Sequence, residues 1–297
     1  MGEFKRVLFI INPHSGRKKF PDLENSIVKS CKQFSVEFAI SATERAGHAT
    51  EMAKEAVQQN FDLVFAVGGD GTVNEIAKGL IHSKVTMGII PKGSGNGLAR
   101  HLGIPQKPER ALTLLQSGKK ILMDTVSVNG EVSVNVSGIG FDGHIATLFG
   151  KSGKRGLREY VSLAAAEFRK FKKFPVAGKI DGSSYEGEAF ILAFANSSQF
   201  GNNATVSPTA SVCDQLMDIC VIKKVPLLQA LGFAGKMFTR RMHKSAFVKI
   251  IKAKKASFAF PGIMPYHIDG DGKEPISQFS IEVIPSSLKI LAPSENI

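Results

Sequence analysis

The sequence has no tryptophan, three tyrosines and three cysteines in 297 residues. Cys31, Cys213 and Cys220 are odd in number and show no C-x-x-C spacing, so neither a disulfide framework nor a zinc site is supported. Long apolar runs are also missing. "VLFII" and "FILAFA" have the length of core strands, far short of the roughly 18 apolar residues a membrane span needs. "INPHSG" follows "VLFII" at once, which breaks any signal-peptide pattern and leads to the expectation of a cytosolic protein. Acid is absent over one long stretch. From Ile219 to Ile268 there is no Asp or Glu, while Lys223, Lys224, Lys236, Arg240, Arg241, Lys244, Lys249, Lys252, Lys254 and Lys255 fall within it.

What is present is a basic chain, with net charge +12 and 43% hydrophobic residues, enough for one large domain or two ordinary ones. A second basic cluster, Lys151, Lys154, Arg155 and Arg158, then Arg169, Lys170, Lys172 and Lys173, is interleaved with apolar residues. Solvated charged faces are the plain explanation. The sharper one is attraction to an anionic partner, such as a membrane surface or a phosphorylated substrate. Scarce Trp and Tyr, and no nucleic-acid motif, speak against nucleic acid.

Up to about residue 125 the chain alternates strands and helices. The strands are "RVLFIINP", "VEFAISAT", "FDLVFAVGG" and "VTMGIIP". The helices are "DLENSIVKSCKQF", "AGHATEMAKEAVQQN" from near Gly47, "TVNEIAKGLI", a short "GNGLARHLG" and "KPERALTLLQSG". Continuous apolar strands separated by helices predict an α/β domain with a mainly parallel sheet covered on both faces, with ligands beyond the carboxyl ends of its strands. From 126 to about 286 the pattern becomes β-rich. "DTVSVNGEVSVNVSGIG" alternates around an Asn-Gly turn, and short strands with polar turns follow, with helices over roughly Leu157 to Phe171 and Leu227 to Phe238. This predicts a β-sandwich. The tail, 287–297, returns to either domain.

Three strand-exit loops of the first domain carry glycine: "NPHSG", "GGDGT" and "PKGSGNG". Glycine lets backbone N–H groups approach phosphate oxygens without a Cβ in the way. Thr72 and Glu75 form T-x-x-E, a capping-box pattern that predicts a helix starting at Thr72, its dipole favouring an anion. The pattern is neither the Walker loop nor the dinucleotide fingerprint. Asp70 stands out, because a carboxylate beside phosphates is repulsive unless a cation lies between them. Mg²⁺, which takes few protein carboxylates, resolves that conflict. The alternative is that Asp70 merely caps the loop.

With these residues in hand, the sequence resembles the diacylglycerol kinase catalytic-domain family, which includes bacterial soluble lipid kinases and sphingosine kinases. "NPHSG", "GGDGTVNEI", "PKGSGNGLARHLGIP", "GIGFDGHI" and "HIDGDG" match its motifs in order along nearly the whole chain. The resemblance implies a first domain like those of phosphofructokinase and NAD kinase, and a β-sandwich second. It implies ATP and Mg²⁺ as cofactors and a role in phospholipid metabolism. It places Asn12, Pro13, Ser15, Gly16, Thr43, Gly68, Gly69, Asp70, Gly71, Thr72, Asn74, Glu75, Gly93, Ser94 and Asn96 at the nucleotide. Asp269 is implied as general base, with Asp271 beside it. Asp70 and Asp124 are implied at the Mg²⁺, and Asp214 with the carbonyls of Ser211 and Leu216 at a second, structural metal.

Two departures bear on this. Gln215 stands where the family has a glycine after the metal carboxylate, and Asp271 where it has a glutamate. The implied reaction is transfer of the γ-phosphoryl group of ATP to a lipid hydroxyl, with the basic second domain at a membrane surface. A free sheet edge in either domain offers a homodimer contact. The rival readings are an NAD kinase-like phosphotransferase, which shares GGDG, and a catalytically silent relative that binds nucleotide or anionic membrane. The acceptor is not named by any short motif, since diacylglycerol, phosphatidylglycerol, undecaprenol and sphingoid bases present similar hydroxyls.

Overall fold

The structure, a computed structural model, describes residues 4–16, 22–153 and 156–294. The chain divides into two compact units. One comprises Met1–Met123 with Ser286–Ile297, the other Asp124–Pro285.

The first unit runs β1 (Arg6–Ile11), α1 (Leu23–Gln33), β2 (Glu37–Ala42), α2 (His48–Gln58), β3 (Leu63–Gly68), α3 (Asp70–Leu80), β4 (Thr86–Pro91), α4 (Gly97–His101), α5 (Pro108–Leu112) and α6 (Leu114–Ser117). Its sheet is parallel. β2, β1, β3 and β4 lie side by side in that order, and the C-terminal residues Lys289 and Ile290 pair with Thr86 and Met87 as a further parallel strand. β3 and β4 are buried at every residue, which is why their sequences are continuous apolar runs. Gly88 lets β4 pass the Phe65 ring, which a Cβ would meet at 2.4 Å. The helix expected over "KPERALTLLQSG" is broken at Thr113. The Thr113 hydroxyl bonds back to the Arg110 carbonyl at 2.8 Å, the kind of competition that interrupts a helix.

The second unit contains part of β5 (Gly118–Val128), then β6 (Glu131–Ser133), β7 (Val136–Gly140), α7 (Phe141–Lys151), α8 (Leu157–Glu167), β8 (Phe174–Ile180), β9 (Ser183–Ala189), β10 (Ile191–Ala195), β11 (Gln199–Gly201), β12 (Ala204–Thr205), β13 (Met217–Ile222), α9 (Leu227–Phe238), β14 (Val248–Ala253), β15 (Lys255–Ile268) and the first part of β16 (Asp271–Pro293). Pairing is antiparallel: β14, β13, β10, β7 and β15 in order, with β8 on β15 and β9 on β8.

Central strands are buried on both faces. Leu192 and Phe194 of β10 enter the larger core with Phe258 and Phe279, while Ala193 and Ala195 enter a smaller one with Cys220 and Met242. α7 has no counterpart among the expected elements. Glycine obscures its pattern, and Gly143 is needed because a Cβ there would lie 2.5 Å from the Tyr266 Cα. Among the described residues no helix is long and apolar enough to cross a membrane.

Candidate active site

In the first unit the three glycine loops meet at the carboxyl end of the parallel sheet. Asn12 leaves β1 with its N–H on the Val67 carbonyl at 3.0 Å, and its side-chain amide donates to the Thr72 hydroxyl at 3.1 Å. Lys92 follows β4, and its N–H bonds the Gly68 carbonyl at 2.7 Å. Backbones approach so closely that glycine is required. A Cβ on Gly16 would lie 1.9 Å from the Lys92 carbonyl oxygen, and one on Gly93 would lie 2.5 Å from the Gly69 Cα. Thr43, just past β2, donates its N–H to the Ile11 carbonyl at 2.8 Å, so it joins the same edge. Ser15 and Asn74 are buried there, while Pro13, Gly71 and Ser94 are exposed.

α3 begins two residues earlier than the T-x-x-E pattern predicts, with Gly69 at its N-cap. Thr72 is therefore inside the first turn, and the N-cap residue, Gly69, has no side chain with which to cap the helix. Glu75 faces elsewhere: its carboxylate accepts the Ala49 N–H of α2 at 3.3 Å, and its carbonyl accepts the Thr50 hydroxyl at 2.7 Å. The glycines allow the early start, and what they leave is an uncapped helix end. The first bond along the helix is Val73 N–H to the Gly69 carbonyl, so the preceding N–H groups find no acceptor within it. A Cβ at Gly71 would meet nothing within 4 Å, which leaves open space over that end.

Asp70 turns its carboxylate to the third loop. One oxygen accepts the Asn96 N–H at 2.9 Å and the other the Gly97 N–H at 2.7 Å, so it closes the start of α4. Backbone donors thus answer the charge that suggested a cation, and the capping alternative describes this geometry. A carboxylate has acceptor capacity beyond two bonds, so Asp70 can still serve a cation held chiefly by phosphate.

Lys92 lies outside the expected set, and Asn96, expected at the nucleotide, has a feature of its own. The Lys92 ammonium donates to the Asn12 carbonyl at 3.1 Å, and burial pulls its pKa below the usual lysine value. The Asn96 Oδ1 is buried and, among the described residues, meets no hydrogen-bond donor. Glycine cradle, helix N-terminus and lysine together suit a nucleotide's phosphate chain. The lysine was hidden by being one of many.

In the second unit Asp269 and Gly270 form the turn between β15 and β16, with Ile268 opposite Asp271. Asp269 is 9% exposed. Its Oδ1 accepts the Ser133 hydroxyl at 2.6 Å and the Asn135 N–H at 3.0 Å, and its Oδ2 accepts the Val134 N–H at 2.8 Å. Asp271 is exposed and faces the Lys273 ammonium at 3.3 Å, which also meets Glu131 at 3.0 Å.

Behind this turn lies a buried pair that the sequence reading did not single out. Gly270 donates its N–H to His267 Nδ1 at 3.1 Å, which assigns the ring proton to Nε2, 3.3 Å from Asp142 Oδ2. Gly138 makes room, since a Cβ there would sit 2.0 Å from that oxygen. "GIGFDG" and "HIDGDG" are therefore one packed assembly.

The expected metal residues of this unit find other partners. Asp124, 1% exposed, accepts the Gln215 N–H at 2.7 Å. Gln215 has φ 60°, the left-handed conformation that favours glycine. Asp214 meets the Lys252 ammonium at 2.8 Å and accepts the Leu216 N–H at 3.2 Å, while the Ser211 hydroxyl accepts the Cys213 N–H. Lys252 also lies 3.2 Å from the buried Asp218. The Lys252 ammonium thus pairs with the carboxylate expected at the structural metal. Among the described residues no three His, Cys, Asp or Glu side chains cluster as a metal site.

Comparison with known proteins agrees with this architecture. The profile of the diacylglycerol kinase catalytic domain matches residues 6–128, and that of the YegS C-terminal NAD kinase beta sandwich-like domain matches residues 133–292. The diacylglycerol kinase of Bacillus subtilis (strain 168) is 29% identical over 280 residues, covering 90% of each chain. A Klebsiella pneumoniae (strain 342) protein named "Probable lipid kinase YegS-like" is 28% identical, covering 99% of this chain and 98% of its own. Two solved structures from Bacillus anthracis str. Sterne match over 100% of both chains, with TM-scores of 0.82 and 0.80 at 26% and 24% identity. Two profiles matched in order along nearly the whole length place the protein in the diacylglycerol kinase family of lipid kinases.

Proposed function

We propose that the protein transfers the γ-phosphoryl group of ATP to the hydroxyl of a diacylglycerol-like lipid at a membrane surface. The observation that carries this reading is the meeting of three glycine loops around the uncapped start of α3. The transition state of phosphoryl transfer is loose, so catalysis is chiefly positioning and charge stabilisation. Backbone N–H groups near Gly71 and Thr72 hold phosphate oxygens, and Lys92 adds a cation already part-freed of water. Asp70 sets the spacing of the second and third loops and would offer a carboxylate to a Mg²⁺ carried by the triphosphate. That ion would offset charge on the bridging and terminal oxygens.

Asp269 accepts the hydroxyl proton. Three donors occupy most of its acceptor capacity, which suits a base required late rather than early in the transfer. The test is incubation with labelled ATP and Mg²⁺ against diacylglycerol, sphingosine and NAD, with products separated by thin-layer chromatography. Phosphorylated diacylglycerol is expected. Phosphorylated NAD alone, or no transfer at all, would overturn the reading.

A further inference from the structure

α9 is a twelve-residue helix with no buried residue. One face, with Phe233 and Met237, packs on the smaller core beside Met242. The other faces water with its largest apolar groups: Leu228 is fully exposed, Leu231 88%, Leu227 52% and Phe238 47%. Leu228, Leu231 and Phe238 follow at i, i+3 and i+10, with Gly235 between them, so they form one outward stripe. A globular helix turns such a stripe inward. This helix already has a packed face and carries a second apolar one.

The surroundings of the stripe are cationic. Lys223 precedes α9, and Arg240, Arg241 and Lys244 follow it, all exposed. At the N-terminal end, Leu227 shares a concavity of about 380 Å³ with Phe168, Arg169, Lys224, Val225 and Pro226. Lys224 is committed to the fold, donating to the Phe171 carbonyl and lying over the Phe190 ring. No acidic residue interrupts the sequence from Ile219 to Ile268. A second copy of this surface would repel it, and a stripe made mainly of leucines, with Phe238 at one end, does not suit a run of stacked bases. Apolar side chains rimmed by cations at the height of a helix surface suit an anionic lipid interface.

We infer that α9 is an interfacial helix that inserts Leu228 and Leu231 into an anionic lipid surface, with Arg240 and Arg241 on the headgroups. The inference deepens the lipid-acceptor reading above and rests on it. It gives the docking to one named helix rather than to the basic balance of the whole chain.

The absence of tryptophan supplies the reporter. In Leu228→Trp the new indole is the only one, placed at an exposed position, so its emission reports that site alone. Neutral phosphatidylcholine vesicles and vesicles containing phosphatidylglycerol are added in turn. The expected result is a blue shift with anionic vesicles only, reduced by salt, and vesicle affinity about tenfold weaker or more when Arg240→Glu and Arg241→Glu are added, with circular dichroism unchanged.

No shift on anionic vesicles overturns the inference, as does an equal shift on neutral ones. A shift in buffer that grows with protein concentration also overturns it, in favour of a second copy. Turnover of a short-chain, water-soluble diacylglycerol by the same protein separates the two readings. Turnover without a blue shift removes the docking helix alone, and a blue shift without turnover of any lipid removes the kinase reading alone.

Discussion

Asp181–Gly182 and Asp269–Gly270 are the same turn in two places of the second unit. Each closes a two-residue hairpin, Ile180 opposite Ser183 and Ile268 opposite Asp271. Each has positive φ at both positions, 46° and 85° in one, 51° and 89° in the other. In both, the aspartate carboxylate reaches across to two successive backbone N–H groups: Lys254 and Lys255 for Asp181, Val134 and Asn135 for Asp269. The differences lie around the turn. Asp181 is exposed, while Asp269 is buried, takes a third donor from Ser133, and is followed by an exposed Asp271. Turn geometry alone therefore says nothing about chemistry. Burial and the extra donor decide whether the carboxylate is a plain staple or a charge held in a fixed place.

Alanine at each position makes the comparison quantitative. Asp269→Ala leaves buried donors unpaired at about 1–3 kcal/mol each, partly relieved by relaxation, so a loss of about 2–4 kcal/mol is expected. Asp181→Ala exposes its donors to water and should cost about 1 kcal/mol or less. Urea denaturation measures both, and equal losses would show that the burial difference has no energetic weight. Asp269→Asn is not a silent control. Both oxygens accept, so an amide sets an NH₂ group against a backbone N–H or the Ser133 hydroxyl. Its activity must be read beside its stability and its KM for ATP before the loss is assigned to proton transfer.

The parallel strands were legible because β3 and β4 are apolar at nearly every position, and the hairpins because Asn129–Gly130 and Asp181–Gly182 stand between alternating runs. Convergence of the three glycine loops followed from topology, since each leaves a parallel strand at the same end. What failed were decisions that depend on distant partners. Thr72 and Glu75 match a capping box locally, yet Asn12 and Ala49 claim their side chains. For Asp70 the choice between capping and a cation stayed open, because its donors, Asn96 and Gly97, are remote in sequence. The His267–Asp142 pair joins residues 125 apart and leaves no local trace.

Asp214 and Asp218 extend the comparison to a carboxylate pair served by a side-chain cation. Lys252→Met should cost about 1–2 kcal/mol, less than a fully buried pair because the ammonium reaches solvent. Burial pulls the Lys252 pKa down, but hydrogen bonds and charge from Asp214 and Asp218 outweigh it, and the net shift is upward from 10.5. The pair's contribution is therefore fully present below pH 10.5 and lost as pH rises through the higher folded value. The gap in Tm between wild type and variant should close at strongly alkaline pH. EDTA should leave the wild-type Tm unchanged, and a chelator-sensitive Tm would mean that a metal, not Lys252, completes this loop.

The smallest effect is expected one residue further on, where a left-handed turn lacks the glycine that the Asp-Gly hairpins use. Gln215 holds φ 60° with an exposed side chain, and its backbone N–H donates to Asp124. Gln215→Gly keeps that donor. It removes a left-handed penalty of about 1 kcal/mol, against an unfolded-state entropy gain for glycine of about 0.5 kcal/mol or more. The net expectation is a stabilisation of about 0.5 kcal/mol or less, read as a small rise in Tm. A fall in Tm would mean that the loop tolerates Gln215 without strain. The departure from glycine would then carry no cost in backbone strain.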